Sequence, residues 1–339
     1  MSGGEIVQYL LSGITTGSIY AIIGIGFNII YNTTGIINFA QGEFLMLGGM
    51  IAISLAKIVP LPLAIAAAVL ATGLIGVAIQ VVFLRWLKDP DVLRMIIITI
   101  GLSILVREAA LHVWDEKVRA LPYFTGDETS SVAVLGARIS PQIFWILGVS
   151  LLLVLGLSLF FRYSLLGRAM RACASNAVAA RLCGIKTRSM VTLSFFLAAS
   201  IGALAGCVVS PVTQTQYDMG TSLAVKGFTC AVLGGLGNST ASVVAGLLIG
   251  ILESASISVL PLAFKDVVAL SILLAILFLR PQGLFALKKK GLLGGRSDIH
   301  VRDRLKPTLA KGGGSDMRGR PLAGVSTLLA RLLPPRWRS

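Results

Sequence analysis

The amino-acid sequence predicts an all-α polytopic membrane protein, a bundle of about eight or nine transmembrane helices with at least one broken or half-length helix. Hydrophobic residues make up 55% of the 339 residues and charged residues only 13%, whereas soluble domains average about 25% charged residues. Nonpolar stretches recur along most of the chain, with the length that crosses a bilayer core of about 30 Å as a helix. The alternating pattern of a membrane β-barrel is absent from the sequence.

Hydropathy locates the individual spans in chain order. They lie near 6–30, 40–57, 61–84, 95–114, 143–161, 190–209, 219–237, 241–260 and 266–280. The least regular is 219–237, where Lys226 and a glycine-rich run, 234–237, interrupt the apolar pattern, so we expect the broken or half-length helix there. Small residues four apart, as in Gly13/Gly17, Gly202/Gly206 and Gly246/Gly250, predict close packing between helices in lipid.

The formal net charge of +15 is concentrated in two segments. Residues 162–190 include six basic and no acidic residues, and 281–339 include thirteen basic and three acidic residues. Because Lys and Arg accumulate in cytoplasmic loops, we expect both segments inside the cell. Counting the spans back places the amino terminus outside. Nucleic-acid binding is another reading of a basic protein, but charge that flanks apolar spans does not require it, and we expect no such partner.

The sequence contains no catalytic motif. Its two histidines, His112 and His300, are far apart, and its four cysteines lack zinc-like spacing. The patterns of serine hydrolases, zinc proteases and the Walker A phosphate loop are all missing. We therefore expect no enzyme, no metal site and no cofactor bound by this chain, which cannot hydrolyse ATP alone.

A polar, glycine-broken stretch, 32–44, separates the first two spans. Irregular backbone at membrane depth is tolerated only where protein or a water-lined cavity satisfies it, and transporters use broken helices to expose polar groups to solute. The residues alone leave a plain cytoplasmic turn equally open.

A cationic loop, 167–185, is the second notable segment. Its alanines favour helix and Gly184 is a natural stop, so we expect one helix over 169–183, about 22 Å long. Such a helix suits a groove in a partner protein, although a surface helix with no partner is equally open. The predicted small apolar face consists of Met170, Cys173, Ala177, Ala180 and Cys183, with Arg168, Arg171 and Arg181 around it.

Ionisable residues within spans are functional candidates by default, because each costs a few kcal/mol or more in lipid. Glu43 is expected at the interface or at the solute pathway. Arg107 and Glu108 point about 100° apart on a helix, and we expect Arg107 to reach the interface or to pair with Glu43 or Glu253. For Glu253 we favour a structural pair between helices over contact with solute.

Three stretches together resemble the permeases of branched-chain amino acid ABC importers, and most closely the shorter of the two permeases in that system. They read INFAQGEF (37–44), GRAMRACASNAVAARLCGI (167–185) and FTCAVLGGLGN (228–238). The likeness covers roughly 5–287, which implies a permease domain over 1–287 with its coupling loop in 162–190. The composition of 288–339, which lies beyond the likeness, predicts a basic, flexible cytoplasmic tail. The middle of the loop departs from the family, because Ser175-Asn176-Ala177-Val178 stands where acidic or proline residues are usual.

The resemblance also implies partners. A second permease (a hetero-pair, or a homodimer), two cytoplasmic ATPases that bind ATP-Mg and a periplasmic solute-binding protein would complete an importer in the bacterial inner membrane. The amino terminus would be periplasmic and the carboxy terminus cytoplasmic. Two alternatives stay open: the same architecture carrying urea, short amides or aromatic acids, and an autonomous channel or ion-coupled transporter.

Residue roles follow from the resemblance at the matching positions. The residues implied to couple to the ATPase are Gly167, Arg168, Met170, Arg171, Cys173, Ala177, Ala180, Arg181 and Gly184. Those implied to line or gate the pathway are Asn38, Gln41, Gly42, Glu43, Gly234 and Gly235. Independently of the resemblance, the cost of charge within spans leads us to expect intramembrane charge pairs among Arg107, Glu108 and Glu253.

Overall fold

A computed structural model describes residues 3–85, 92–127, 129–134 and 137–257 and the isolated positions 267, 270–272, 274–275 and 278. The described chain is predominantly helical, and six of its helices are long and apolar enough to cross a membrane. The predicted span 266–280 and the tail 288–339 lie largely or wholly outside the described residues. The helices are α1 (Gly3–Thr34), α2 (Gln41–Leu55), α3 (Leu61–Ile79, continued by a π-helical turn, Gln80–Leu84), α4 (Val92–Trp114), α5 (Gln142–Tyr163), α6 (Leu165–Ser175), α7 (Ala177–Leu182), α8 (Thr187–Thr213), α9 (Met219–Gly234) and α10 (Ser239–Ser256).

Two glycines with left-handed backbone end helices around the polar stretch and the glycine-rich run. Gly35, with φ +72°, follows α1, and Gly235, with φ +89°, follows α9. Residues with a Cβ rarely adopt these values, so glycine terminates each helix at little steric cost.

Helix α1 forms the centre of the bundle and packs against α10, α8, α9 and α5. Its contact with α10 is so close that a Cβ at Gly17 would come within 2.7 Å of the Gly246 carbonyl oxygen. On α8, a Cβ at Gly206 would overlap the Leu45 carbonyl of α2. The predicted close packing through small residues is therefore confirmed, and it joins α1 to α10 and α2 to α8.

Helices α2 and α9 are short, with 15 and 16 residues. At 1.5 Å per residue each is about 23 Å long, less than the bilayer core of about 30 Å. The half-length helix expected within 219–237 is confirmed as α9, which is continuous to Gly234. Helix α2, Gln41–Leu55, occupies most of the span predicted over 40–57 and is also short.

Helix α5 has the most exposed surface of the six long helices, with exposed leucines along its length. Between α4 and α5 the chain forms a small antiparallel hairpin, β1 (Val132–Val134) and β2 (Ala137–Ile139). Residues of this connection also pair with the end of α8, where Arg119 and Thr215 exchange backbone hydrogen bonds. The connection thus covers one end of the bundle.

Candidate functional site

The segment between α1 and α2 is fixed by buried polar side chains. The Asn38 side-chain oxygen accepts a hydrogen bond from the Ala40 amide at 3.2 Å, and the Gln41 side-chain amide donates to the Ala198 carbonyl of α8 at 3.0 Å. Gly42 packs so closely on the Gly220 backbone of α9 that no Cβ fits. Asn38, Gln41 and Gly42 therefore anchor the start of α2 within this chain, where all three are buried.

Glu43 stands at the centre of a polar network that joins three helices. Its Oε1 accepts hydrogen bonds from Ser103 of α4 at 2.8 Å and from Thr221 of α9 at 3.2 Å. The Thr221 hydroxyl in turn accepts from Arg107 at 3.4 Å. Glu43 is only 1% exposed, and its Oε2 has no hydrogen-bond partner among the described residues. Oε2 faces Gly220, where a Cβ would come within 2.6 Å of it.

An aromatic cluster accompanies this segment, and the sequence analysis did not single it out. The Phe39 ring lies 5.4 Å from Phe228 and 6.4 Å from Phe27, between ring centroids. Phe39 and Phe228 are half-buried, whereas Phe27 is buried. Both half-buried rings belong to the stretches that carry the family resemblance, which was the available signal.

Gly234 and Gly235 form the turn between α9 and α10. A Cβ at Gly234 would overlap the Ser242 amide, and both glycines are buried. In this chain they bring α9 against α10.

The buried carboxylate of Glu253 forms an ion pair with Lys226 of α9 at 2.8 Å. The Lys226 ammonium also donates to the Tyr20 hydroxyl of α1 at 3.1 Å, so α1, α9 and α10 meet at this pair. The expected pairing of Arg107 with Glu253 or Glu43 is corrected. Glu253 pairs with Lys226 because α9 packs directly on α10, and within the described part of the chain Arg107 is linked to Glu43 by hydrogen bonds through Thr221.

Arg107 makes its ion pair with its neighbour Glu108, at 3.8 Å. Successive residues of a helix point about 100° apart, so the sequence predicted that Arg107 and Glu108 lie on different faces. Both side chains are nevertheless long enough to meet beside α4. This contact is exposed, with 28% of the Arg107 side chain and 51% of the Glu108 side chain accessible.

The cationic loop contains two helices, α6 and α7, instead of the single helix expected over 169–183. Asn176 separates them in extended conformation, with φ −158° and ψ +104°. Its side-chain oxygen accepts hydrogen bonds from the Val178 and Ala179 amides, both at 3.0 Å. Asparagine competes in this way with helix continuation, which explains the break.

The face expected to meet a partner is largely used within the chain. Met170, Cys173 and Ala180 are buried, and α6 contacts α1, α5 and α8. Burial raises the pKa of the Cys173 thiol. The other two members of the predicted face, Ala177 and Cys183, are exposed.

A different edge of the loop is exposed. It combines large apolar side chains, of which Leu182 is 84% accessible, with three arginines. We call this set the outer edge of the loop: Leu165, Arg168, Arg171, Val178, Arg181 and Leu182. Gly167 is buried beneath it, and a Cβ there would overlap the Phe160 carbonyl at the end of α5. Gly184, with φ +83°, ends the loop after α7 as expected.

A cavity of about 250 Å³ separates the loop from the segment that precedes α2. Its lining includes Asn38, Thr99, Cys173, Ala177 and Thr187. The start of α4 and the end of α1 therefore lie at the same end of the bundle as the cationic loop, and Trp114 lies towards the opposite end.

A polytopic helical bundle with a buried polar network beside a helix break is an architecture that membrane transport proteins use. Residues 9–277 match the family described as the permease component of the branched-chain amino acid transport system, and the chain belongs to this family. The resemblance found in the sequence is thus confirmed.

Relatives in two bacteria match most of the chain. The high-affinity branched-chain amino acid transport system permease protein BraD of Pseudomonas aeruginosa is 36% identical over 298 residues, 82% of this chain and 95% of the relative. The corresponding protein LivH of Escherichia coli K12 is 32% identical over 296 residues, 82% of this chain and 94% of the relative.

Proposed function

We propose that this chain is the membrane-spanning permease subunit of an ABC importer for branched-chain or other small apolar amino acids. The family match over 9–277 is the observation that carries the proposal. The transport systems named for BraD and LivH supply the substrate class. The chain contains no Walker A sequence, in keeping with ATP hydrolysis on separate subunits.

The proposed assembly contains a second permease, two cytoplasmic ATPases that bind ATP-Mg and a periplasmic binding protein. The basic segments 162–190 and 281–339 support a cytoplasmic loop and carboxy terminus in the bacterial inner membrane. The amino terminus and the connection 115–142 are then periplasmic. This chain binds none of the ATP-Mg.

Coupling in this proposal uses the outer edge of the loop. An ATPase groove takes the exposed Val178 and Leu182, while the surrounding arginines orient the contact. The buried Met170, Cys173 and Ala180 hold the loop on its own bundle, so displacement of the loop is passed to α1, α5 and α8. The adjacent cavity of about 250 Å³ leaves room for that displacement.

The pathway in this proposal runs along the side of α4 and α9. Buried Asn38, Gln41, Gly42 and Glu43 keep the start of α2 fixed beside it. Half-buried Phe39 and Phe228 narrow it towards the loop. Gly234 and Gly235 bring α9 against α10, on the side of α9 that faces away from the pathway.

Reconstitution of the complete importer tests the proposal. Liposomes with both permeases, both ATPases and the binding protein are expected to take up leucine only with ATP, and leucine is expected to stimulate ATP hydrolysis. Transport by this chain alone, or stimulation by urea and not by leucine, would contradict it.

The outer edge is tested by Leu182→Glu and Val178→Glu. A buried charge at the groove should reduce copurification of the ATPases about tenfold or more, because an unpaired interfacial charge costs several kcal/mol. Val118→Glu is the matched control, an exposed valine beyond α4 that should leave copurification unchanged. Ala180 is buried, so a larger residue there tests folding rather than docking.

A further inference from the structure

We infer that Arg107, Glu108 and Thr221 form a binding site for the zwitterionic backbone end of an α-amino acid. The site rests on the proposed transport function and adds to it a place where this permease itself contacts the solute.

Arg107 and Glu108 lie within the membrane-spanning part of α4. Arg107 is seven residues before Trp114, so at 1.5 Å per residue it lies about 10 Å from that end of the helix. Both side chains are accessible, at 28% and 51%, on a helix with exposed Ile104 and Leu105. Charges in hydrocarbon cost a few kcal/mol or more, whereas charges beside a water-filled cavity do not. Ionisable residues within spans almost always face the protein interior or a water-filled cavity, so we take this side of α4 to face the interior of the assembled importer.

The charge pattern of the pair is complementary to a zwitterion. The guanidinium and carboxylate lie 3.8 Å apart, a spacing comparable to that between the ammonium and carboxylate of one amino acid. The planar guanidinium can bind the solute carboxylate through two hydrogen bonds. Glu108 then accepts from the solute ammonium. The exposed Thr221 hydroxyl contacts the guanidinium at 3.4 Å and adds a third polar group.

Glu43 acts as a positioning residue behind this site. It accepts a hydrogen bond from the Thr221 hydroxyl at 3.2 Å, and the Thr221 oxygen accepts one from Arg107. The Glu43 carboxylate therefore orients the guanidinium from its buried side. Ser103 holds the same Oε1 at 2.8 Å. The second carboxylate oxygen, Oε2, faces Gly220 and has no hydrogen-bond partner among the described residues.

The surroundings of the proposed site leave room for amino-acid solutes with different side chains. A Cβ at Gly101, two turns before Glu108, would meet no atom within 4 Å, and the neighbouring exposed residues of α4 are apolar. The site therefore recognises the groups common to all α-amino acids and leaves the choice among side chains to another component.

The decisive variant is Arg107→Gln/Glu108→Gln in the complete importer. It removes both charges, so we expect leucine uptake to fall about tenfold or more, since the loss of one charge-assisted hydrogen bond lowers affinity by about that factor. Thr221→Val should also lower uptake. Ser222→Ala is the matched control, an exposed neighbour whose hydroxyl bonds to the Met219 carbonyl. If the charges merely faced lipid, the neutral pair would transport normally and raise the thermal midpoint.

Thiol labelling tests solute contact directly. In a Cys183→Ser background, Thr221→Cys should react with a water-soluble thiol reagent, and leucine should slow that reaction. Leu151→Cys on the exposed surface of α5 should not react. Lack of reaction at Thr221→Cys, or reaction that leucine does not slow, would overturn the site. Loss of leucine uptake by the unmodified importer would instead contradict the proposed function.

Discussion

At the residue scale, the buried pair of Lys226 and Glu253 has the largest energetic consequence. The ammonium and carboxylate lie 2.8 Å apart, and Glu253 is 1% exposed. A charge in lipid or in the protein interior is tolerated when a partner satisfies it, and removing one partner leaves the other uncompensated. Because Tyr20 joins the pair through its hydroxyl, the position of short α9 is fixed to both α1 and α10.

Glu253→Gln should destabilise the bundle by about 3–5 kcal/mol, because it removes the buried carboxylate charge that lies 2.8 Å from the Lys226 ammonium. Lys226→Met should have a similar cost. The double variant, Lys226→Met/Glu253→Gln, should be more stable than either single variant, since both charges of the pair are removed together. Thermal unfolding of the purified protein, analysed as a double-mutant cycle, measures this coupling. Additive effects of the two substitutions would show that the pair does not stabilise α9.

At the element scale, the division of the cationic loop into α6 and α7 decides which residues reach a partner. Asn176 caps α7 through two amides and turns the chain so that Val178 and Leu182 are exposed. A continuous helix would rotate these side chains with respect to α6. The break is therefore as important to the outer edge as the identity of its residues.

Asn176→Ala should impair coupling. It removes a cap worth about 1 kcal/mol and places the best helix former between two helices, which favours their fusion. We expect lower leucine uptake per ATP hydrolysed by the reconstituted importer. Asn176→Asp retains a capping oxygen and is the control, with coupling close to that of the unmodified protein. Equal coupling in the alanine variant would show that the break has no role.

The sequence predicted the elements better than their contacts. Hydropathy located α1, α3, α4, α5 and α8, because long apolar runs allow few alternatives in a bilayer. It could not show that Met170 and Cys173 pack inward, since periodicity identifies a face without identifying what covers it. The partner of Glu253 likewise depends on which helices are neighbours. The break at Asn176 had a local signal, its capping preference, which the surrounding alanines outweighed.

The sequence predicted only part of the candidate site, because it does not show which helices are neighbours. Glu43 and Arg107 stood out because charge in a span is rare. Ser103 and Thr221 did not, since hydroxyls are common in membrane helices and their role arises from the meeting of α2, α4 and α9. Likewise Phe39 and Phe228 are ordinary apolar residues until the fold brings their rings to 5.4 Å.

At the scale of the whole molecule, the cysteines provide a test of topology. All four are free, and of these only Cys183 is exposed. Cys207 and Cys230 are buried in the bundle, and Cys173 is buried under the loop with a raised thiol pKa, which lowers the fraction of reactive thiolate. The natural protein thus has one thiol suited to labelling, located on the proposed cytoplasmic side.

A membrane-impermeant maleimide should label Cys183 in inverted vesicles and not in right-side-out cells. This follows from the basic character of the loop, because positively charged loops remain cytoplasmic. Cys183→Ser should abolish the labelling. In that background, Val118→Cys should be labelled from the outside only. Labelling of Cys183 in intact cells would place the loop in the periplasm and refute the proposed docking of ATPases on it.

The loop attaches to its own bundle by one set of residues and presents another set to solvent. Substitutions in the second set therefore leave the fold intact. The ATPase that binds the loop can change while the helical bundle stays the same. After gene duplication, one copy of such a transporter can come to bind an ATPase of its own through a few substitutions near Val178 and Leu182. Conversely, grafting these exposed residues between paralogues should exchange their motors without redesigning either bundle.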